Sequence, residues 1–159
     1  RLVGSEMCIR DRNRPLLPLL FACFLGICAC LANAQPGDTI AGIWKTFDDD
    51  TNQPAALVQI TEKNGLFAGT ITKLLDPNAP TICDKCPDSR KGKPVVGMEI
   101  LTGLRRSGDA FTGGHILDPD DGEIYRAEMK LKDQGNKLDL RAYLGIPLLG
   151  RTQTWLREK

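Results

Sequence analysis

The stretch Ile124-Tyr125-Arg126-Ala127-Glu128-Met129-Lys130-Leu131-Lys132 is answered, after Asp133-Gln134-Gly135-Asn136, by Lys137-Leu138-Asp139-Leu140-Arg141-Ala142. In the first run Tyr125, Ala127, Met129 and Leu131 fall on one face of an extended chain, and Arg126, Glu128 and Lys130 on the other. In the second, Leu138, Leu140 and Ala142 oppose Lys137, Asp139 and Arg141. A period of two is the signature of a strand with one dry and one wet face, as in an antiparallel sheet.

The same grammar extends outward in both directions. Gly42–Phe47 reads as a first strand, closed by the acidic stretch Asp48-Asp49-Asp50-Thr51-Asn52. Leu57–Glu62 is a second, and Lys63-Asn64-Gly65 is a hairpin turn leading into a third at Leu66–Leu74. A long segment broken by Pro77, Pro80, Pro87 and Pro94 comes next, then a fourth strand at about Met98–Arg105. Ser107-Gly108 turns the chain into a fifth strand, Ala110–Leu117. Asp118-Pro119-Asp120-Asp121-Gly122 turns it again, with Pro fixing one φ and Gly supplying a positive one. The last strand is Arg151–Arg157. Eight short strands joined by tight turns, with no helical period between them, predict an all-β, antiparallel up-and-down barrel, a sandwich being the alternative. A barrel of that strand number is either filled by side chains or holds one small ligand.

Composition agrees with one folded domain. The 159 residues are 42% hydrophobic and 26% charged with a net charge of +1, which excludes a disordered chain and a nucleic-acid-binding polycation. The four arginines and two acids before Phe21 leave 17 basic and 18 acidic residues in the rest. No long-range field steers DNA or an anionic membrane.

The head of the chain has its own logic. Arg12 and Arg14 precede the apolar run Leu16–Ala32, and Ala32-Asn33-Ala34 offers a small-residue cleavage site before Gln35. Residues 13–34 therefore read as a signal peptide cleaved after Ala34, with residues 35–159 as the mature domain in the periplasm or outside the cell. The run is short for a membrane anchor and contains Pro18, so no stable membrane insertion of the mature chain is expected. A lipoprotein acylated at Cys28 or Cys30 is a weaker alternative, since Ile27 is bulky for such a site. Residues 1–12 have no initiator Met at position 1 and look foreign to the signal.

Of six cysteines, only Cys83 and Cys86 lie in the mature domain. The CxxC between them could be a redox pair, half of a metal site or a disulfide staple. Redox pairs sit at helix N-termini, where the dipole lowers the thiolate pKa, and the Pro87–Pro94 stretch has no helical period. Structural zinc takes four ligands, while the mature chain adds one histidine, with Asp84 or Asp88 to complete a set. A disulfide needs only a turn, and it is the reading the residues favour.

The remaining motifs read structurally. His115, the single histidine, comes after Gly113-Gly114, glycines that mark a bend or close backbone approach within a strand. Asp118-x-Asp120-Asp121-Gly122 has its glycine one place early for a calcium loop and lacks the distal Glu. Arg90-Lys91-Gly92-Lys93, with Arg105 and Arg106, has no interleaved aromatics for nucleic acid.

Gly42-Ile43-Trp44 near the start and an arginine in the last strand resemble the lipocalin signature, in which the cation lies over the tryptophan ring and helps close the barrel. Arg151 and Arg157 are the candidates. A narrower resemblance rests on more residues. Gly42-Ile43-Trp44, Cys83-Asp84-Lys85-Cys86, Pro94-Val95-Val96-Gly97, Gly113-Gly114-His115-Ile116-Leu117-Asp118-Pro119 with Gly122 and Tyr125, and Leu149-Gly150-Arg151-Thr152-Gln153-Thr154-Trp155 occur in that order. Together they resemble the secreted bacterial family called domain of unknown function 2147, over essentially all of Ala41–Arg157. The resemblance implies an exported, lipocalin-like small barrel without an assigned activity. His115 stands where that resemblance leads one to expect a variable, often basic residue, which argues against a catalytic role.

These readings converge on a non-enzymatic protein, with no cofactor and no metal, that binds a small, largely apolar ligand inside the barrel. Trp44, Phe67, Phe111, Tyr125, Met129 and Leu140 are the lining candidates. Two alternatives stand beside it: a thiol-disulfide oxidoreductase using Cys83 and Cys86, and an envelope interaction module presenting the 75–94 loop to a protein partner.

Overall fold

A computed structural model describes residues 38–159. Eight antiparallel strands form one closed barrel in simple sequence order: β1 (Gly42–Phe47), β2 (Pro54–Lys63), β3 (Leu66–Leu74), β4 (Glu99–Ser107), β5 (Ala110–Leu117), β6 (Ile124–Lys132), β7 (Lys137–Tyr143) and β8 (Arg151–Arg157). Closure comes from β1 pairing with β8, Trp44 opposite Arg157 and Lys45 opposite Leu156. That pairing excludes the sandwich and leaves no open sheet edge. Helical structure among the described residues is confined to three single 3₁₀ turns, Asp88–Arg90, Asp133–Gly135 and Pro147–Leu149. None of these helices is long or apolar enough to cross a membrane. The signal-peptide reading of residues 13–34, the lipoprotein cysteines Cys28 and Cys30, and residues 1–12 lie outside the described residues.

The alternation of polar and apolar residues between Ile124 and Ala142 is realised in β6 and β7. Ala127, Met129, Leu138, Leu140 and Ala142 are buried, and the register places Met129 opposite Leu140 and Ala127 opposite Ala142. The second strand starts at Pro54, earlier than Leu57. Proline is tolerated there because the first position of a strand need not donate to a ladder, and the pairing with β3 slips between Leu57 and Val58.

The two ends of the barrel differ. At one end the hairpins β2–β3, β4–β5 and β6–β7 turn, and large side chains fill the interior. Phe67 and Phe111 meet edge to face with centroids 5.0 Å apart, and Trp44, Leu101, Leu104, Met129 and Leu138 are buried with them. At the other end four connections surround the opening: Asp48–Gln53, residues 75–98, Asp118–Glu123 and Leu144–Gly150. There the inward positions include the small residues Ala56, Val58 and Ala142, and the interior keeps empty space.

Candidate functional site

The closed end is fastened by Arg157. Its guanidinium lies 4.2 Å from the Trp44 ring centre. It donates from Nε to Gly135 O (2.6 Å), from Nη1 to Ala41 O (3.0 Å) and from Nη2 to Thr39 O (2.7 Å). Trp44 is fully buried and donates its indole N–H to Ile40 O at 2.7 Å. Gly42 has φ +140° and leaves the space that Arg157 Nη1 occupies, 2.6 Å from where a β-carbon would stand. The glycine, the tryptophan and the arginine are thus one device. Burial draws the Arg157 pKa below the ordinary arginine value. Arg151, the other arginine considered for this place, lies at the opposite end of the barrel.

The open end holds a cavity of about 390 Å³. Its floor is apolar: Val58, Ile71, Val95, Ile100, Leu117, Leu140 and Trp155 line it and are all buried. Its rim is acidic, with Asp48, Asp49 and Asp50 from the β1–β2 loop facing Asp118, Asp120 and Asp121 from the β5–β6 turn. Of the six lining candidates read from the sequence, Tyr125 and Leu140 border the cavity. Trp44, Phe67, Phe111 and Met129 also point inward but lie in the filled half, because side-chain parity sets the face of a strand and not the depth along the barrel axis.

Hydrogen bonds tie the two rim loops together through β8. The Trp155 indole N–H donates to Gln153 Oε1, and Gln153 Nε2 donates to Phe47 O (2.5 Å) and to Asp49 Oδ1 (2.8 Å). Arg151 bridges the loops, 3.1 Å from Asp49 Oδ2 and 2.7 Å from Asp118 Oδ2, with its guanidinium 5.4 Å from the Tyr125 ring centre. The Tyr125 hydroxyl donates to Asp121 Oδ2 at 2.7 Å. That hydrogen bond, with burial and the Asp121 charge, pushes the phenol pKa up to about 12. Asp48 accepts from the Thr51 hydroxyl and N–H and from Asp50 N–H, which hold its carboxyl below the usual range. Partial burial raises Asp120, and the charges of Asp118, Asp48 and Asp121 push in the same direction.

Cys83 and Cys86 are joined in a disulfide, and both are buried. The next element along the chain is a single 3₁₀ turn, Asp88–Arg90, with none of the helix that activates redox pairs. The stapled turn buttresses the rim. Lys85 Nζ donates to Asp120 O at 2.8 Å. Gly122, at φ +79°, presses against the Lys85 backbone so closely that a β-carbon would lie 2.0 Å from Lys85 O. His115 is exposed on β5, between Thr102 and Arg126 of the neighbouring strands. The Asp118–Gly122 segment is a turn, closed by Gly122 N–H donating to Asp118 O at 2.8 Å. No cluster of three or more metal-ligating side chains occurs among the described residues.

Sequence reasoning missed the rim and the loop beside it. The six aspartates read as two separate turns, and only barrel closure sets them face to face. In the β7–β8 loop Leu144, Ile146, Leu148 and Leu149 are exposed, held out by Arg141, which donates to Pro147 O (2.9 Å from Nε, 2.6 Å from Nη2).

Residues 42–157 match the family described as "Uncharacterized protein conserved in bacteria (DUF2147)". The chain belongs to that family. A solved structure titled "Protein HP1028 from the human pathogen Helicobacter pylori belongs to the lipocalin family" is similar in fold, with a TM-score of 0.66 and 21% identity over 76% of this chain and 84% of that one. No curated protein matches the chain. This member of the DUF2147 family is therefore a lipocalin-like barrel, closed at one end by Trp44 and Arg157 and hollow at the other.

Proposed function

We infer that this DUF2147 protein is a periplasmic or secreted, non-enzymatic carrier that holds one small, largely apolar molecule in the open half of its barrel. The observation that carries the reading is the cavity of about 390 Å³ with a buried apolar floor. Its volume falls in the span of roughly 300–1,000 Å³ typical of small-molecule sites. A preformed pocket with an apolar floor gains affinity by releasing water from apolar surface without the cost of reorganising the protein. Three features support binding without turnover. His115 is exposed on an outer strand, away from the cavity, Tyr125 is kept protonated by Asp121, and the sulfurs of Cys83 and Cys86 are bonded to each other and buried. Export is supported by the signal-like residues 13–34 and by a disulfide that suits an oxidising compartment.

Native mass spectrometry of the purified protein, alone and after incubation with 1-decanol, tests the reading. A one-to-one adduct is expected in at least one of the two samples. Bare protein in both overturns it.

A further inference from the structure

We propose that the mouth of the cavity selects the charge of what enters, admitting an apolar molecule with an ammonium head and rejecting one with a carboxylate, sulfate or phosphate head. The proposal rests on the carrier reading and specifies its ligand class. The site is the cavity; the aspartates around it form its polar half.

The balance of charge at the rim is uneven. Six carboxylates border the cavity, and Arg151 is the one cationic side chain among its lining residues. That guanidinium is already committed to Asp49 and Asp118. Lys85 sits behind the turn with its ammonium on a backbone carbonyl. No lining cation pairs with Asp48, Asp50, Asp120 or Asp121, and the Lys85 charge only partly offsets the burial and like charges that raise Asp120. Asp48 and Asp121 are occupied by N–H and O–H donors, which fix their carboxylates in place without cancelling their charge. Asp48 and Asp120 both border the cavity, and the Asp48 charge adds to the upward shift of Asp120. A cleft with low-dielectric walls focuses such a field, so the potential at the mouth is stronger than the near-neutral chain as a whole suggests.

The geometry matches an amphiphile in two parts. The apolar body lies on Val58, Ile71, Leu140 and Trp155, and the head stops at the rim, where an ammonium donates to carboxylates and an anion meets like charge. Arg151 is a weak lure for an anion, because Asp49 and Asp118 on either side already offset its charge. An uncharged head falls between the two cases.

The test uses three ten-carbon molecules, decylamine, 1-decanol and decanoate, each below its aggregation limit; the decanoate tail is one methylene shorter, which accounts for about fourfold of any deficit. Each displaces the neutral fluorescent probe N-phenyl-1-naphthylamine from the purified protein at pH 7 and low salt. Decylamine is expected to compete at least tenfold better than decanoate, with decanol between them. The ratio is expected to shrink several-fold in 0.5 M salt, where the screening length falls to a few ångströms, and in the D48N/D120N variant. Equal competition by the two ions, or tighter decanoate, overturns charge selection while leaving the carrier reading intact. Failure of the probe and of decanol to bind at all refutes the carrier reading itself, and charge selection with it.

Discussion

Replacing Arg157 by methionine keeps much of the side chain's apolar bulk and removes its charge and fork. The wild-type guanidinium donates three hydrogen bonds to the carbonyls of Gly135, Ala41 and Thr39 and covers the Trp44 ring at 4.2 Å. Hydrogen bonds from charged groups contribute about 1.5–3 kcal/mol each when buried. This site is partly open to water, so roughly 1 kcal/mol apiece is the safer figure, with about 1 kcal/mol more for the cation–π contact. The expected loss is about 4 kcal/mol, or roughly 15 °C in Tm for a domain of this size. Arg157→Lys keeps a cation near the ring but cannot reach three diverging carbonyls, and is expected to lose about half as much. Arg151→Met is the control: its two ion pairs are half exposed, and pairs of that kind contribute under ~1 kcal/mol. Urea denaturation tracked by tryptophan fluorescence reads all three. A loss below about 1 kcal/mol for R157M, or an equal loss for R151M, would refute the assignment of Arg157 as the residue that fastens the barrel.

The rim supplies three further expected outcomes. Gly122→Ala is expected to cost about 2–3 kcal/mol from its left-handed φ and the collision with Lys85 O, whereas Gly65→Ala, at φ +75° with open space around it, costs about 1 kcal/mol; similar losses in thermal melts of the two variants would mean the stapled turn does not brace the rim. An alkaline titration monitored at 295 nm should show no tyrosinate forming near the ordinary value of about 10, because Asp121 raises Tyr125 and Glu128 raises Tyr143. D121N should restore one such step, and a normal step in the wild type would contradict the hydrogen bond. Asp120 has a folded pKa above its unfolded value, so its contribution to stability is present at low pH and is lost as pH rises through the folded value. Asp120→Asn should therefore raise Tm at pH 7, with the gap closing on acidification below about pH 4; a gap that widens in acid reverses the sign and defeats the argument.

Much of the barrel was legible because β-structure announces itself locally. The alternation from Tyr125 to Leu131 and from Leu138 to Ala142 needs only neighbours in sequence, and the turn chemistry of Asn64-Gly65 and Pro119…Gly122 sets the strand ends. Height along the barrel was not legible. Met129 and Leu140 are cross-strand partners, yet Leu140 borders the cavity and Met129 is buried in the filled half. The void is bordered by Ala56 and Val58 of β2 and by Ala142 of β7, small side chains that come together only when strands distant in sequence close into the barrel. The acidic rim was hidden for the same reason: Asp48–Asp50 and Asp118–Asp121 meet only across the closed barrel. The CxxC was decided by what surrounds it. Its sulfurs are buried, it lacks an activating helix, and its turn is pressed against Gly122, so it shapes the mouth.

The central claim is that the open half of the barrel takes up an apolar guest. Titration of N-phenyl-1-naphthylamine into the purified wild type and the Ala142→Phe variant tests it most directly, since Ala142 lines the cavity and a phenyl ring there obstructs it. Saturable one-to-one fluorescence enhancement with quenching of Trp155 in the wild type, and at least tenfold weaker uptake in a variant of unchanged fold, is the predicted result. No saturable uptake, or equal uptake by the obstructed barrel, would contradict it.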